Sequence, residues 1–212
     1  MTRFCFIRHG ETDWNVALRM QGHVDIPLNA TGLAQAEALG RRFASSTIMA
    51  DALYCSDLGR ARQTAQPVAE ALGLPISTTA QLRERNFGCC EGLVFDEIVA
   101  RFPAEAAAIK RRDPDHVPAG GESRRQHHAR IHACVNDLAA RHSAQTLIVV
   151  THGGVLDVVY RLACGLAIEA PRTYPIANAS LNWVVVVGEK WQIESWSDVA
   201  YLAAVLPVAA DS

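Results

Sequence analysis

Three stretches of this chain place cationic or imidazole side chains where an apolar run stops: Arg8-His9-Gly10, Ser56-Asp57 leading to Arg60, and Thr151-His152-Gly153. Two guanidiniums and two imidazoles brought together make an anion site. Arginine's planar fork suits a phosphate or a carboxylate, and a helix opening after Gly153 adds aligned backbone N–H dipoles. For Arg8, His9, Arg60 and His152 to act on one ligand, the runs before them must be neighbouring strands. In open α/β sheets, ligands bind beyond the carboxyl ends of the strands.

The patterning supplies such strands. Arg3–Arg8, Ala52–Cys55 and Ile76–Thr79 read as short strands, and the β-branched run Thr146–Val150 as a central strand buried on both faces. Helical spacing covers Thr31–Ser45, with Thr31 as its cap. Leu58–Leu72 is a second helix, in which Pro67 must introduce a kink or mark a boundary. Further helices are expected at Phe95–Arg101, Ala104–Arg112, Glu122–Arg141 and Val155–Leu162. Ser180–Val187 and Trp191–Trp196 read as a closing hairpin, and the tail from Pro207 as loose. The predicted fold class is α/β in three layers, a mostly parallel central sheet with helices on both faces, as one domain over residues 1–212.

Composition narrows the partners. Of 212 residues, half are hydrophobic, which excludes disorder as the main state. Twenty basic against twenty-two acidic side chains leave no field for nucleic acid. The longest apolar runs fall far short of the roughly 18 residues of a membrane span. Six scattered cysteines without CxxC spacing point to reduced thiols and a cytoplasmic location. Adjacent Cys89 and Cys90 cannot alone complete a tetrahedral metal site. His128 and His132 have the i, i+4 spacing of metal ligands, but with His116, His127 and His142 they are expected on or beside a solvated helix, so no metal is expected.

Phe6-Ile-Arg-His-Gly-Glu-Thr-Asp-Trp-Asn15 resembles the signature of the histidine phosphatase superfamily, the phosphoglycerate mutase-like proteins. Ser56-Asp-Leu-Gly-Arg-Ala-Arg-Gln-Thr64 resembles the family's second arginine motif. Leu82-Arg-Glu-Arg-Asn-Phe-Gly-Cys-Cys-Glu-Gly92 resembles its acidic motif, and Val150-Thr-His-Gly-Gly154 its second histidine motif. All four stand in the family's order. One Arg-His-Gly tripeptide is weak evidence; four ordered motifs are strong.

The resemblance implies that His9 attacks the phosphorus of a monoester to give a phosphohistidine. Arg8 and Arg60 then penalise a second positive charge on the ring and keep it neutral. With His152, Asn15 and Gly153 they hold the phosphoryl oxygens, and Thr12, Gln21 and Gly22 resemble secondary phosphate contacts. Glu84 is the implied acid and base, with Glu11 and Glu91 as rivals. Its flanking Arg83 and Arg85 leave a surface ion pair as the plainer reading. No metal is implied.

Two reactions share this machinery. A mutase returns the phosphoryl group to a bound phosphoglycerate; a phosphatase admits water. Only Leu93–Gly120, 28 residues, separates the acidic motif from Gly121-Glu-Ser123, which resembles the compact phosphatase branch rather than a lidded mutase. Lys110-Arg111-Arg112 in that insertion keeps a cofactor-dependent mutase, with 2,3-bisphosphoglycerate, as the alternative; its plainer role is to complement a helix dipole. Cys90, where relatives carry an aromatic residue, is expected to widen the pocket rim. The expected reaction is phosphomonoester hydrolysis on small metabolites, with a phospholigand-binding regulator as a further alternative. The expected partner is a small-molecule substrate, with the apolar closing strands offering an edge to a homodimer.

Overall fold

Strand β1 (Thr2–Arg8) alternates its side chains across a sheet: Phe4 and Phe6 pack into one core, Cys5 and Ile7 into another, and all four are fully buried. A computed structural model describes residues 1–203, so the tail from Pro207 lies outside the described residues. After β1 come a single turn, α1 (Asp13–Val16), and then α2 (Ala30–Ala44), β2 (Ala52–Ser56), α3 (Gly59–Leu72) and β3 (Ile76–Thr79). Two short helices, α4 (Phe95–Arg101) and α5 (Pro103–Arg111), precede the long α6 (Arg124–Arg141). The chain closes through β4 (Thr146–Thr151), α7 (Gly153–Cys164), β5 (Leu181–Val187) and β6 (Lys190–Asp198).

Among the described residues the strands form one six-stranded sheet in the order β3-β2-β4-β1-β5-β6. The first four are parallel; β5 pairs antiparallel with β1, and β6 with β5. Helices α2 and α3 cover one face through Leu39, Phe43, Ala65 and Val68. Helices α6 and α7 cover the other through Ile131, Val135, Leu138 and Val159. The expected three layers are therefore present. The apolar closing strand β5 is interior to the sheet, and its outer neighbour β6 forms the edge with only partial burial.

Register sets the site. Ile7 stands beside Val150, and Val150 beside Cys55, so β1, β4 and β2 end at one height. The chain leaving β1 passes to α2 on one face, whereas the chain leaving β4 enters α7 on the other. Adjacent strands whose connections diverge this way open a crevice at their carboxyl ends.

Several local expectations shift. Asn29, not Thr31, caps α2: its side chain accepts the Gly32 N–H at 2.9 Å while its own amide donates to Glu11 Oε1, so tertiary contact selects the earlier cap. Pro67 sits inside α3 instead of at a boundary, with its ring against Gly40 of α2. A Cβ on Gly40 would lie 2.8 Å from Pro67 Cβ, so the glycine makes room for the ring. Helix α6 begins at Arg124 because Ser123 closes a capping box with Gln126. Cys90 does not shape a rim; it is buried in a small core with Leu93, Ile98 and Ala106. No helix among the described residues is long and apolar enough to cross a membrane.

Candidate active site

His9 follows β1 directly and is almost wholly buried, at 3 % exposure. Its backbone N–H donates to Thr151 O, while its carbonyl accepts from Asn178 Nδ2. The ring's Nδ1 lies 2.7 Å from the Gly10 carbonyl oxygen. A carbonyl can only accept, so Nδ1 carries the proton and the lone pair of the neutral ring sits on Nε2. That nitrogen makes no hydrogen bond among the described residues, yet it is not sealed from the surface. Burial, then the Arg60 and Arg8 charges, hold the ring's pKa well below its ordinary value. The result is a neutral imidazole with a free lone pair among cations.

Arg60, in the first turn of α3, is fully buried and aimed from outside its own helix: NH1 donates to Val24 O at 2.9 Å and NH2 to Gly22 O at 2.8 Å. Its Nε has no partner. Gly22 has φ +53, and a Cβ there would lie 1.9 Å from Glu91 Oε1. Only glycine turns this carbonyl toward Arg60. Arg8 donates NH1 to Ile176 O at 2.7 Å and keeps its Nε unpaired beside Gly153. Burial lowers the Arg8 pKa to about 10, against the pull of Glu84, and it stays charged at neutral pH.

His152 occupies the N-cap position of α7 but makes no capping bond; its Nε2 is 2.8 Å from Ser56 Oγ, and its ring centroid lies 5.2 Å from that of His9. Its Nδ1 is buried without a partner, and burial with the Arg60 charge depresses its pKa well below the usual value. Asn15 Oδ1 accepts from Thr12 and Asn178, which leaves its Nδ2 as the free donor. The Thr12 hydroxyl is engaged with Asn15 in the capping box that opens α1. Gln21 is buried with its Oε1 unpaired.

Among the candidate carboxylates, Glu84 alone lines the cleft. Its Oε2 accepts the Gly154 N–H at 2.8 Å and its Oε1 the Arg85 N–H at 2.7 Å. The flanking arginines do not pair with it: Arg83 takes Asp57 in a two-pronged bond, and Arg85 lies over the Phe87 ring. Glu91 is spent on the His23 and Phe87 N–H groups, and Glu11 on Asn29. Both are structural in this geometry.

The cleft beyond Glu84 has a volume of about 670 Å³. Arg8, Glu84, Gly153 and Gly154 line it, whereas His9, Arg60 and His152 are not among its lining residues. Of the basic triplet, Arg112 reaches this cleft, while Lys110 and Arg111 are exposed elsewhere. The expectation of a solvated face for the helix-borne histidines fails at two positions. His127 is 4 % exposed, and it lines the cleft with half-buried His128. Sequence reasoning named Ser56 only as a strand end and Arg85 only as a surface partner of Glu84, and it passed over Arg124, Asn178 and His23, whose Nε2 meets Glu84 O at 2.9 Å.

His9, His127 and His152 share a consequence. Burial depresses all three pKa values, so the unfolded chain takes up protons from about pH 6.5 downward and the folded chain does not. Their contribution to stability is complete above that pH and is lost as pH falls through and below it. The slope is on the order of 1 kcal/mol per pH unit for each ring. Melting temperature should therefore decline between pH 6.5 and 5, before most carboxylates titrate. A flat profile in that window would contradict the neutral assignment.

A family model described as "Histidine phosphatase superfamily (branch 1)" matches residues 4–199. The chain is 37 % identical over 207 residues to a protein of Arabidopsis thaliana named metal-independent phosphoserine phosphatase, covering 97 % of this chain and 85 % of that one. It is 36 % identical over 200 residues to phosphoglycerate mutase-like protein 4 of the same plant, covering 92 % and 85 %. The solved structure of Bacillus stearothermophilus YhfR superposes with a TM-score of 0.86 at 30 % identity, covering 95 % of this chain and all of that one.

Proposed function

This chain belongs to the histidine phosphatase superfamily, and on that footing we propose that His9 Nε2 is the nucleophile of a metal-independent hydrolysis of small phosphomonoesters. The observation that carries this reading is the His9 ring itself: pinned through Nδ1 to Gly10 O, neutral, and unpaired at Nε2. In the first step the Nε2 lone pair forms a bond to phosphorus as the ester P–O bond breaks, and Glu84 gives its proton to the departing oxygen. In the second, water attacks the phosphohistidine, Glu84 takes the water's proton, and the P–N bond breaks to release phosphate. Arg8, Arg60, His152, Asn15 Nδ2 and the first N–H groups of α7 at Gly153 hold the three equatorial oxygens through a loose transition state. Gln21 and Gly22 act one layer out, Gly22 by aiming Arg60, and Thr12 acts through Asn15.

The guanidiniums supply the positive charge that other phosphatases draw from a metal, and a relative named as metal-independent supports that reading. Turnover of p-nitrophenyl phosphate should persist in excess chelator, and brief acid-free quenching should trap an acid-labile, alkali-stable phosphoryl adduct on His9. Chelator-sensitive turnover, or an adduct elsewhere, would overturn the assignment.

Hydrolysis is favoured over mutase chemistry because the insertion after the acidic motif folds as only α4 and α5, with a small core of its own. With 3-phosphoglycerate the product should be inorganic phosphate; dominant 2-phosphoglycerate that depends on 2,3-bisphosphoglycerate would reverse the choice. We place the activity in the cytoplasm, where the six cysteines, all free in the structure, stay reduced.

Glu84 offers a sharp test through its neighbour. A Cβ on Gly154 would lie 2.0 Å from Glu84 Oε1 and 2.9 Å from its Cδ, so Gly154→Ala must push the carboxylate aside. Because a displacement of about 1 Å in a catalytic group can cost roughly 100-fold, kcat should fall by about 10- to 100-fold with little change in melting temperature. A wild-type kcat would show that the Glu84 position is not used.

A further inference from the structure

A neutral imidazole at position 9 can attack through Nε2 in only one of its two forms. With the proton on Nδ1 the lone pair sits on Nε2; with the proton on Nε2 that nitrogen has nothing to attack with. The form is set by the hydrogen bond that the other nitrogen makes, here from Nδ1 to Gly10 O at 2.7 Å. A Cβ on Gly10 would lie 2.6 Å from Gly32 O, so only glycine lets this turn pass against the start of α2. The direction of its carbonyl is then decided by whatever holds the peptide units on either side.

The Gly10 carbonyl and the Glu11 N–H are two ends of one rigid plane. That N–H donates to Oε1 of Gln35 at 2.9 Å. Gln35 is the one polar side chain on the buried face of α2, among Ala36, Ala38, Leu39 and Phe43, and a buried amide in such company needs a partner. The preceding plane, between His9 and Gly10, is held in the same manner. The Gly10 N–H donates to Thr64 Oγ1 at 2.9 Å, and the His9 carbonyl accepts from Asn178 Nδ2 at 3.0 Å. Thr64 is fully buried on α3, one turn beyond Arg60. Its own hydroxyl proton goes to Arg60 O at 2.8 Å, so it faces Gly10 with a lone pair. Gln35 and Thr64 both stand behind the turn and neither lines the cleft.

We propose that Gln35, supported by Thr64, selects the reactive form of His9: it aims the Gly10 carbonyl at Nδ1 and so leaves Nε2 bare. Both are positioning residues, acting through backbone and touching no reacting atom. The proposal rests on the reading of His9 as nucleophile for its effect on rate, but not for its effect on the ring. Without the Gln35 acceptor, the Glu11 N–H must turn to find another partner, and the carbonyl at the far end of the plane turns with it. The ring then loses the bond that fixes its proton.

Gln35→Met keeps the length of the side chain and removes the acceptor. The ring is read by nitrogen-15 NMR at a pH well above the ordinary histidine range, where a bare ring nitrogen and a protonated one resonate far apart. In the wild type His9 Nε2 should give the bare-nitrogen signal and Nδ1 the N–H signal. In Gln35→Met both should move toward a mixture of the two forms. His142, held by Gln145 and Tyr54, should not change and serves as the internal control. Losing the group that directly fixes a catalytic imidazole's tautomer costs about 10⁴-fold in kcat. Acting through one carbonyl, Gln35→Met should lose about 10- to 100-fold in kcat, with KM within about threefold because the phosphoryl cradle is untouched. Thr64→Val repeats the test from α3 if Gln35→Met does not fold, and Thr64→Ser, which keeps the hydroxyl, should retain both the spectrum and the rate. Unmixed His9 signals in the folded variants, or a loss of rate with unchanged ring signals, overturns the assignment. Failure of the nucleophile reading looks different: turnover is retained in His9→Ala, while the ring signals still respond to Gln35→Met.

Discussion

Replacing His9 with alanine should lower kcat/KM for p-nitrophenyl phosphate by at least about a thousandfold and abolish the trapped adduct, while the protein remains folded. Removing a nucleophile that acts as one unit with its base or acid typically costs several orders of magnitude, and the residual rate comes from binding alone. No other imidazole can take over. His152 spends Nε2 on Ser56, and its centroid is 5.2 Å away. The structural cost is small, because the ring contributes one local hydrogen bond, to Gly10 O, worth on the order of 1 kcal/mol. A His9→Ala protein that keeps a tenth of wild-type activity would refute covalent catalysis at this position.

Arg60 carries the second large effect, and its two contributions separate. Loss of a preorganised donor to a developing oxyanion costs about 10²- to 10³-fold, so Arg60→Met should lose kcat on that scale. It should also alter the pH profile. In the wild type, burial and then Arg60 and Arg8 keep His9 unprotonated, so the acidic limb of kcat/KM lies well below pH 6.5. Deleting the Arg60 charge removes one of the causes that lower the pKa, and the limb must move to higher pH. Arg60→Lys retains charge without the planar fork. It should lose rate yet leave the limb near its wild-type place. An unmoved limb in Arg60→Met would show that the guanidinium positions oxygen but does not protect the nucleophile. Because Gly22 O and Val24 O lose their donors in Arg60→Met, kinetics belong well below its melting temperature.

The cradle was legible because its residues close apolar runs: a strand's end is visible in sequence, and parallel register brings Arg8, Ser56 and Thr151 level. The rest of the cleft lining was not. Arg85 lies in the irregular stretch between β3 and α4, where periodicity says nothing about direction, and Arg124 opens α6. Composition made α6 look solvated. A finer signal did exist: His127, Ile131, Val135 and Leu138 recur at four, four and three residues, so the histidine heads the buried stripe. Asn178 had no such mark, because it lies in a patternless connection before β5 and is recruited only by the fold.

Glu91 binds two pieces of the site. Its carboxylate accepts from His23 in the loop that aims Arg60 and from Phe87 in the loop that carries Glu84, while His23 also meets the Glu84 carbonyl. Proposed as proton donor and phosphoryl clamp, Glu84 and Arg60 are thus tied to one carboxylate through the loops that carry and aim them. In the proposed reaction this bracing lets the fold, before any ligand arrives, set the dipoles that face the developing charge.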